Sequence, residues 1–248
     1  MRALVVLLLL ICGPARAESI VLGLSAEEVA ITVTFDGSEL LIFGAVDRDA
    51  PPPPEPLEVI VTVSGPLTPV KVRRAARMAG IWVNTAAVEV DAAPSFYAVA
   101  TSAPLNESLL HVEDLRYSIT TPRAIRSVGN TISGAGAFTQ ALIRIREEAG
   151  AYRMDEESVD FEQQTLFRTA VELPANLIEG NYTIRIFLTR EGRVIDSLET
   201  MIGVQKVGLE RWLFNLSREY PPVYGLLALA LAVAAGWGAS AAFAFLRR

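Results

Sequence analysis

Four cations crowd one stretch of an otherwise acidic chain. Lys71, Arg73, Arg74 and Arg77 stand within KVRRAARMAGIWVN, and Trp82 belongs to the same stretch. Arginine suits planar oxyanions, because its guanidinium donates parallel hydrogen bonds to carboxylates, sulfur oxyanions and phosphates. Arg73, Arg74, Arg77 and Trp82 are therefore the candidate anion or partner contact. The plainer reading is an edge strand that carries charge to discourage pairing with other chains.

Other chemistry has less to work with. His111 is the only histidine and sits in LLHVED, beside Glu113 and Asp114. A nucleophilic triad would also need a serine in a strained Gly-x-Ser-x-Gly turn, which does not accompany it. His111 is read as a surface or half-buried residue. One histidine and one cysteine are too few for a zinc site, and no cofactor is expected. Asp47 and Asp49, Glu147 and Glu148, and Asp155 to Glu157 are carboxylate groups of the kind used in glycoside hydrolysis or calcium binding. They lack the spacing and central glycine of a calcium loop and read as a solvated face. A tethered carboxylate-based hydrolase is the enzymatic alternative to a non-enzymatic reading. Asn-x-Ser/Thr triplets at Asn106, Asn181 and Asn215 are taken as chance.

The elements that must hold these residues start and end with membrane signals. No charged residue occurs between Glu219 and Arg247, more than the roughly 20 apolar residues that cross a hydrocarbon core as a helix. Pro221 and Pro222 can open that helix without losing an internal hydrogen bond. Trp212, Tyr220 and Tyr224 mark its upstream edge as an aromatic belt would. The opening MRALVVLLLLICGPARA has one early positive charge, a short apolar run and small residues around a cleavage site after Ala17. The expected order is a signal peptide at 1–17, an exported body, a juxtamembrane segment at 208–220, a transmembrane helix at 221–246 and a cytoplasmic tail at 247–248. Loss of Arg2 and Arg16 with the leader leaves 20 basic against 28 acidic residues, a charge of −8. Such acidity argues against nucleic acid or an anionic lipid surface as partner. The lone cysteine, Cys12, leaves with the leader, so the body must be held without disulfides. Within the last helix, Ala228, Ala232, Gly236, Ser240 and Ala244 form a ridge of small residues at i+4 spacing. Ala232, Gly236 and Ser240 are the candidate helix-packing face, although a second small ridge through Ala230, Ala234, Gly238 and Ala242 weakens the inference.

The exported part reads as mainly β. IVLGLS, EVAITVTF, ELLIFGAV, LEVIVTVSG and FYAVATS are short runs rich in Val, Ile, Phe and Thr, bounded by turn-forming residues. Leu57, Val59, Val61 and Val63 alternate with Glu58, Thr62 and Ser64, and Ile60 breaks the pattern. DAPPPPEP reads as a stiff exposed connection, since proline lacks the amide a central strand needs. PLNESLLHVEDLRYSITTP reads as a loop or short helix followed by a strand. A helix near 138–149 carries Phe138, Ala141, Leu142 and Ile145 at helical spacing and stops at Gly150. In LPANLIEGNYTIRIFL, Tyr182 matches a tyrosine corner, and REGR reads as a tight hairpin. The expectation is two β-sandwich lobes of Greek-key type, 18–105 and 106–207, the second carrying the helix, plus the C-terminal transmembrane helix.

Several of these segments, taken together, resemble a descriptively known family of transmembrane proteins of alpha-proteobacteria. They are AGIWVN (79–84), PSFYAVATSAPL (94–105), ALIRIREEAGAY (141–152), LFRTAVELPANLIEGNYTIRIFLTREGRVI and the YPPVYGL entry to the last helix. The resemblance covers nearly the whole chain. It implies an inner-membrane protein with a periplasmic domain and supplies no catalytic residues. It also implies association with a sulfite or organosulfonate exporter. The combined reading is a non-enzymatic, membrane-tethered periplasmic accessory module whose partner is an integral membrane protein. A small-anion-binding domain using the arginine cluster is the other alternative.

Overall fold

The computed structural model describes residues 18–25, 28–31, 37–48, 51, 53–78, 80–128, 135–206 and 209–246. The leader with Cys12, Asp49 and the terminal arginines lie outside the described residues. Among these residues two units result: a β body within 18–29 and 37–204, and a second unit of 30–31 together with 205–206 and 209–246.

Valine, isoleucine and threonine place the strands where their branched side chains pack on a pleated surface. A six-stranded sheet runs in the order β2 (Glu28–Ile31), β13 (Arg193–Lys206), β12 (Gly180–Arg190), β4 (Leu57–Ser64), β7 (Tyr97–Thr101), β9 (Tyr152–Asp155). A four-stranded sheet runs β1 (Glu18–Leu24), β3 (Ser38–Arg48), β11 (Leu166–Leu173), β10 (Asp160–Glu162). Its inward residues include Leu40, Ile42, Val46, Phe167, Val171 and Leu173, all buried. They complement Val59, Val61 and Val63 of β4 and Tyr182, Ile184, Ile186 and Leu188 of β12, as in a sandwich.

The second face of the six-stranded sheet is also covered. There Ile60, Tyr97, Val99 and Phe187 join a cluster with Val72, Val88, Val90, Ile119, Phe138 and Leu142. That covering layer explains why Ile60 breaks the alternation: β4 has two apolar neighbours, not one apolar and one aqueous. It consists of helices α1 (Leu105–Ser108), α2 (His111–Tyr117), α3 (Thr121–Ala124) and α4 (Ala135–Glu148), and a three-stranded sheet β5 (Leu67–Met78), β6 (Ile81–Pro94), β8 (Arg126–Val128).

Three expectations are corrected. A division into lobes at residue 105 does not hold, because strands from both halves share each sheet: β12 pairs with β4, and β11 with β3. Not every pair is antiparallel. β7 and β9 run parallel, joined by a crossover that contains α1 to α4, as parallel neighbours require a long connection. Finally, residues 118–122, directly after α2, do not form a strand. The Asp114 carboxylate accepts the amides of Ile119 and Thr120 at 3.1 and 2.8 Å, and Ser118 lies at φ 53°, so these residues turn instead of extending.

Other local expectations hold. Tyr182 is fully buried and its hydroxyl donates to the Ile178 carbonyl at 3.0 Å, closing the corner. Glu191 and Gly192 both have positive φ, 51° and 73°, between the paired Arg190 and Arg193, the tight hairpin that REGR indicates. Phe138 and Leu142 of α4 are buried, whereas Ile145 is half exposed and lies outside the core. An ionic clamp adds to the packing. Glu18 of β1 accepts from Arg48 Nε of β3 and Arg190 Nη2 of β12, each at 2.8 Å, with all three side chains largely buried. It fastens the four-stranded sheet to the six-stranded one.

Candidate functional site

β5 and β6 form a long ribbon whose base packs on the body and whose end does not. The base is fixed by Val72 and Val88, a directly opposed buried pair. One step further out, Arg74 lies opposite Ala86 and places its guanidinium 4.7 Å above the Phe138 ring. That cation–π contact closes the edge of the core. Beyond it, a shift in register after Arg74 leaves Thr85 unpaired, and its hydroxyl donates to the Arg74 carbonyl at 3.3 Å.

The stripe facing the core then continues past the core. Ala76 opposes Val83, and Met78 opposes Ile81. Met78 is 56% exposed and Ile81 66%. The opposite face carries Lys71, Arg73 and Arg77, and Arg77 sits across from Trp82, itself 72% exposed. Gly80, at φ +86°, makes the turn. The expected cluster is thus divided: Arg73, Arg77 and Trp82 face outward on the ribbon, while Arg74 does structural work over Phe138. The charge on this exposed edge accords with protection against edge pairing, but protection does not account for Met78, Ile81 and Trp82.

A second surface escaped the sequence reading. The outer face of the four-stranded sheet carries Val21, Ala45 and Leu166 in one cross-strand row, and Gly23, Phe43 and Arg168 in the next, where Arg168 turns to Asp160. Leu41 and Ala170 follow in the third. Val21, Leu41, Phe43 and Leu166 are all exposed. The Phe43 ring lies where a Cβ on Gly23 would stand, 2.4 Å from its nearest atom, so the glycine lets the ring lie flat on the sheet. The alternation in ELLIFGAV could have revealed this face, because Leu41 and Phe43 occupy positions that should be polar if solvated.

The body also has a polar cleft of about 350 Å³ lined by Tyr97, Ser118, Arg126, Asn181, Arg185 and Glu199 among others. Arg185 looks suited to an anion, yet it is committed. Its Nη1 donates to the Tyr117 carbonyl at 2.7 Å, and its Nη2 to the Ser118 carbonyl and the Tyr97 hydroxyl at 3.0 and 3.2 Å. Arg185 is a post that holds the turn after α2 against the sheet. Burial pushes the Tyr97 phenol above its ordinary pKa, and Arg185 opposes that rise.

His111 is exposed at the start of α2. The described carboxylates do not converge: Glu148 pairs with Arg144, Asp155 with Arg153, and Asp47 is exposed on β3. Among the described residues, no three His, Cys, Asp or Glu side chains gather as metal ligands.

In the second unit, α5 (Leu209–Glu219) precedes α6 (Pro221–Leu246). Residues Pro221–Ser240 of α6 are long and apolar enough to span a bilayer, with mean hydropathy 1.7 and no burial. Ala232, Gly236 and Ser240 are exposed, and a Cβ on Gly236 would meet nothing within 4 Å. That stretch of the ridge is open, and Ala230, Ala234 and Gly238 of the second ridge are exposed as well.

A mainly β body and a single apolar C-terminal helix define a membrane protein with one candidate span. No curated protein matches the chain. The chain belongs to the family described as “Putative transmembrane protein (Alph_Pro_TM)”, which matches residues 19–244.

Proposed function

We infer that this protein is a membrane-tethered interaction module, exported to the periplasmic side and acting by contact with an integral membrane protein. The observation that carries this reading is the outer face of the four-stranded sheet. Monomeric proteins seldom leave large apolar side chains gathered on one face without a partner, and Val21, Leu41, Phe43 and Leu166 gather there, with Arg168 at their edge. The apolar span keeps the patch in the company of membrane proteins. The open ridge through Ala232, Gly236 and Ser240 suits close helix approach to the same partner. A transporter is the partner class suggested, and the sulfite or organosulfonate type rests on the family resemblance alone.

A photoreactive residue at Phe43, introduced into the full chain in its native membrane, tests this reading. One dominant adduct with an integral membrane protein is expected, with none from a matched probe at Glu147 on α4. Equal adducts at both positions, or none at either, would refute it. For the orientation, a reporter active only outside the cytoplasm should work when inserted after Gly150. Activity from a cytoplasmic reporter at that place would invert the topology.

A further inference from the structure

We propose that the tip of the β5–β6 ribbon seats in the headgroup region of an anionic bilayer. Beyond the Val72–Val88 base, residues 73–87 hold Arg73, Arg74 and Arg77 and no acidic residue, whereas the whole chain has a net charge of −6. Net charge argues against an anionic surface only when charge is evenly spread. Here the next acids along β6, Glu89 and Asp91, stand at the base of the ribbon, where Glu89 lies directly opposite Lys71. The basic part is the part that projects.

Its residues are ordered by depth as a bilayer would order them. Met78 and Ile81 stand at the very end, with Gly80 in the turn, and carry no charge. Arg77 and Trp82 form the next pair back. Tryptophan prefers the headgroup level, and an arginine beside it can keep its stem in apolar surroundings while its head reaches phosphate. Arg73 lies four residues further up the strand, about 13 Å at the usual rise per residue, where it would meet phosphate from above. An apolar end with cations set behind it matches anionic lipid chemistry better than it matches water.

The same geometry limits the depth. Among the described residues, β6 pairs with β8 only at Val90 and Ala92, and no strand flanks the tip. Unpaired amides and carbonyls are tolerated where headgroups and water can bond them, not in hydrocarbon. The tip therefore rests in the interface and does not cross. Fourteen residues, 207–220, separate the last strand from the span, eleven of them in α5, a connection of about 27 Å at most.

The test uses the full chain with Cys12→Ser and Ile81→Cys, labelled with an environment-sensitive fluorophore and reconstituted in lipid nanodiscs. In discs of phosphatidylcholine with phosphatidylglycerol, a several-fold rise in emission and strong quenching by nitroxide-bearing lipid are expected. Both should be largely lost in pure phosphatidylcholine and in Arg73→Gln/Arg77→Gln. Those exposed substitutions should leave the thermal midpoint unchanged, so the loss is not one of folding. Quenching that ignores phosphatidylglycerol or the two arginines overturns the proposal. So does a label that stays in water in every disc, or one shielded only in native membranes without lipid quenching, which would place the tip on a protein.

Discussion

Tyr182 joins the start of β12 to the loop before it, and two substitutions separate what its oxygen does from what its ring does. The ring is fully buried, 6.2 Å from that of Phe96, and the hydroxyl donates to the Ile178 carbonyl at 3.0 Å. Tyr182→Phe removes the oxygen alone. Such losses cost about 1–3 kcal/mol, the larger values arising when the orphaned partner cannot find water. Ile178 is itself partly exposed, which puts the expected cost near the lower end, about 1 kcal/mol. Tyr182→Ala also empties the ring's space, and aromatic-to-alanine changes in cores cost about 3–5 kcal/mol. For a body of this size, 1 kcal/mol corresponds to about 2–4 °C in Tm, so the alanine variant should melt roughly 10 °C lower. The assay is urea and thermal unfolding of a chain trimmed to Glu18–Lys206, followed by circular dichroism. Equal losses for the two variants would mean that the hydroxyl, not packing, holds the corner. No loss in either would show that the corner contributes nothing and would undo the reasoning.

Alkaline unfolding should report on Tyr152, whose hydroxyl donates to the Pro94 carbonyl at 2.8 Å and whose pKa burial pushes up to about 12. The folded phenol keeps its proton after the unfolded one, near 10, has lost it, so this contribution is intact below pH 10 and disappears as pH rises toward 12. About 2–3 kcal/mol should be lost over that window, and burial of Tyr97 and Tyr182 acts in the same direction. In Tyr152→Phe the fall in urea midpoint between pH 10 and 12 should be shallower than in the parent; identical slopes would refute the assignment. Glu18→Gln should cost about 3–5 kcal/mol, because it strands the guanidinium groups of Arg48 and Arg190. A change in unfolding free energy below about 1 kcal/mol, the value of an exposed pair, would show that water, not Glu18, satisfies them.

Much of the architecture was legible because it is local. An uncharged run longer than a bilayer is thick can do little else than span one, and it needs no tertiary partner to be recognised. Strand runs, the glycine-bearing REGR turn and the corner at Tyr182 likewise follow from backbone preferences and close neighbours. Phe138 and Leu142 could be placed on the buried side of α4 by spacing, yet Ile145, on the same stripe, could not be seen to miss the core. Neighbourhood across the sheet was hidden. β4 pairs along one edge with β12, far along the chain, and along the other with β7, and the two layers that cover its faces come from still other parts of the chain. The same holds for the surfaces. The sequence brought Arg73, Arg74, Arg77 and Trp82 together as one cluster, and composition argued against an anionic bilayer. Only the structure turns Arg74 onto Phe138, carries the apolar stripe to Met78 and Ile81 beyond the last covering residue, and leaves Phe43 bare. Charge and hydropathy belong to residues and can be read from them; exposure depends on what the rest of the chain covers, and that is decided only when it folds.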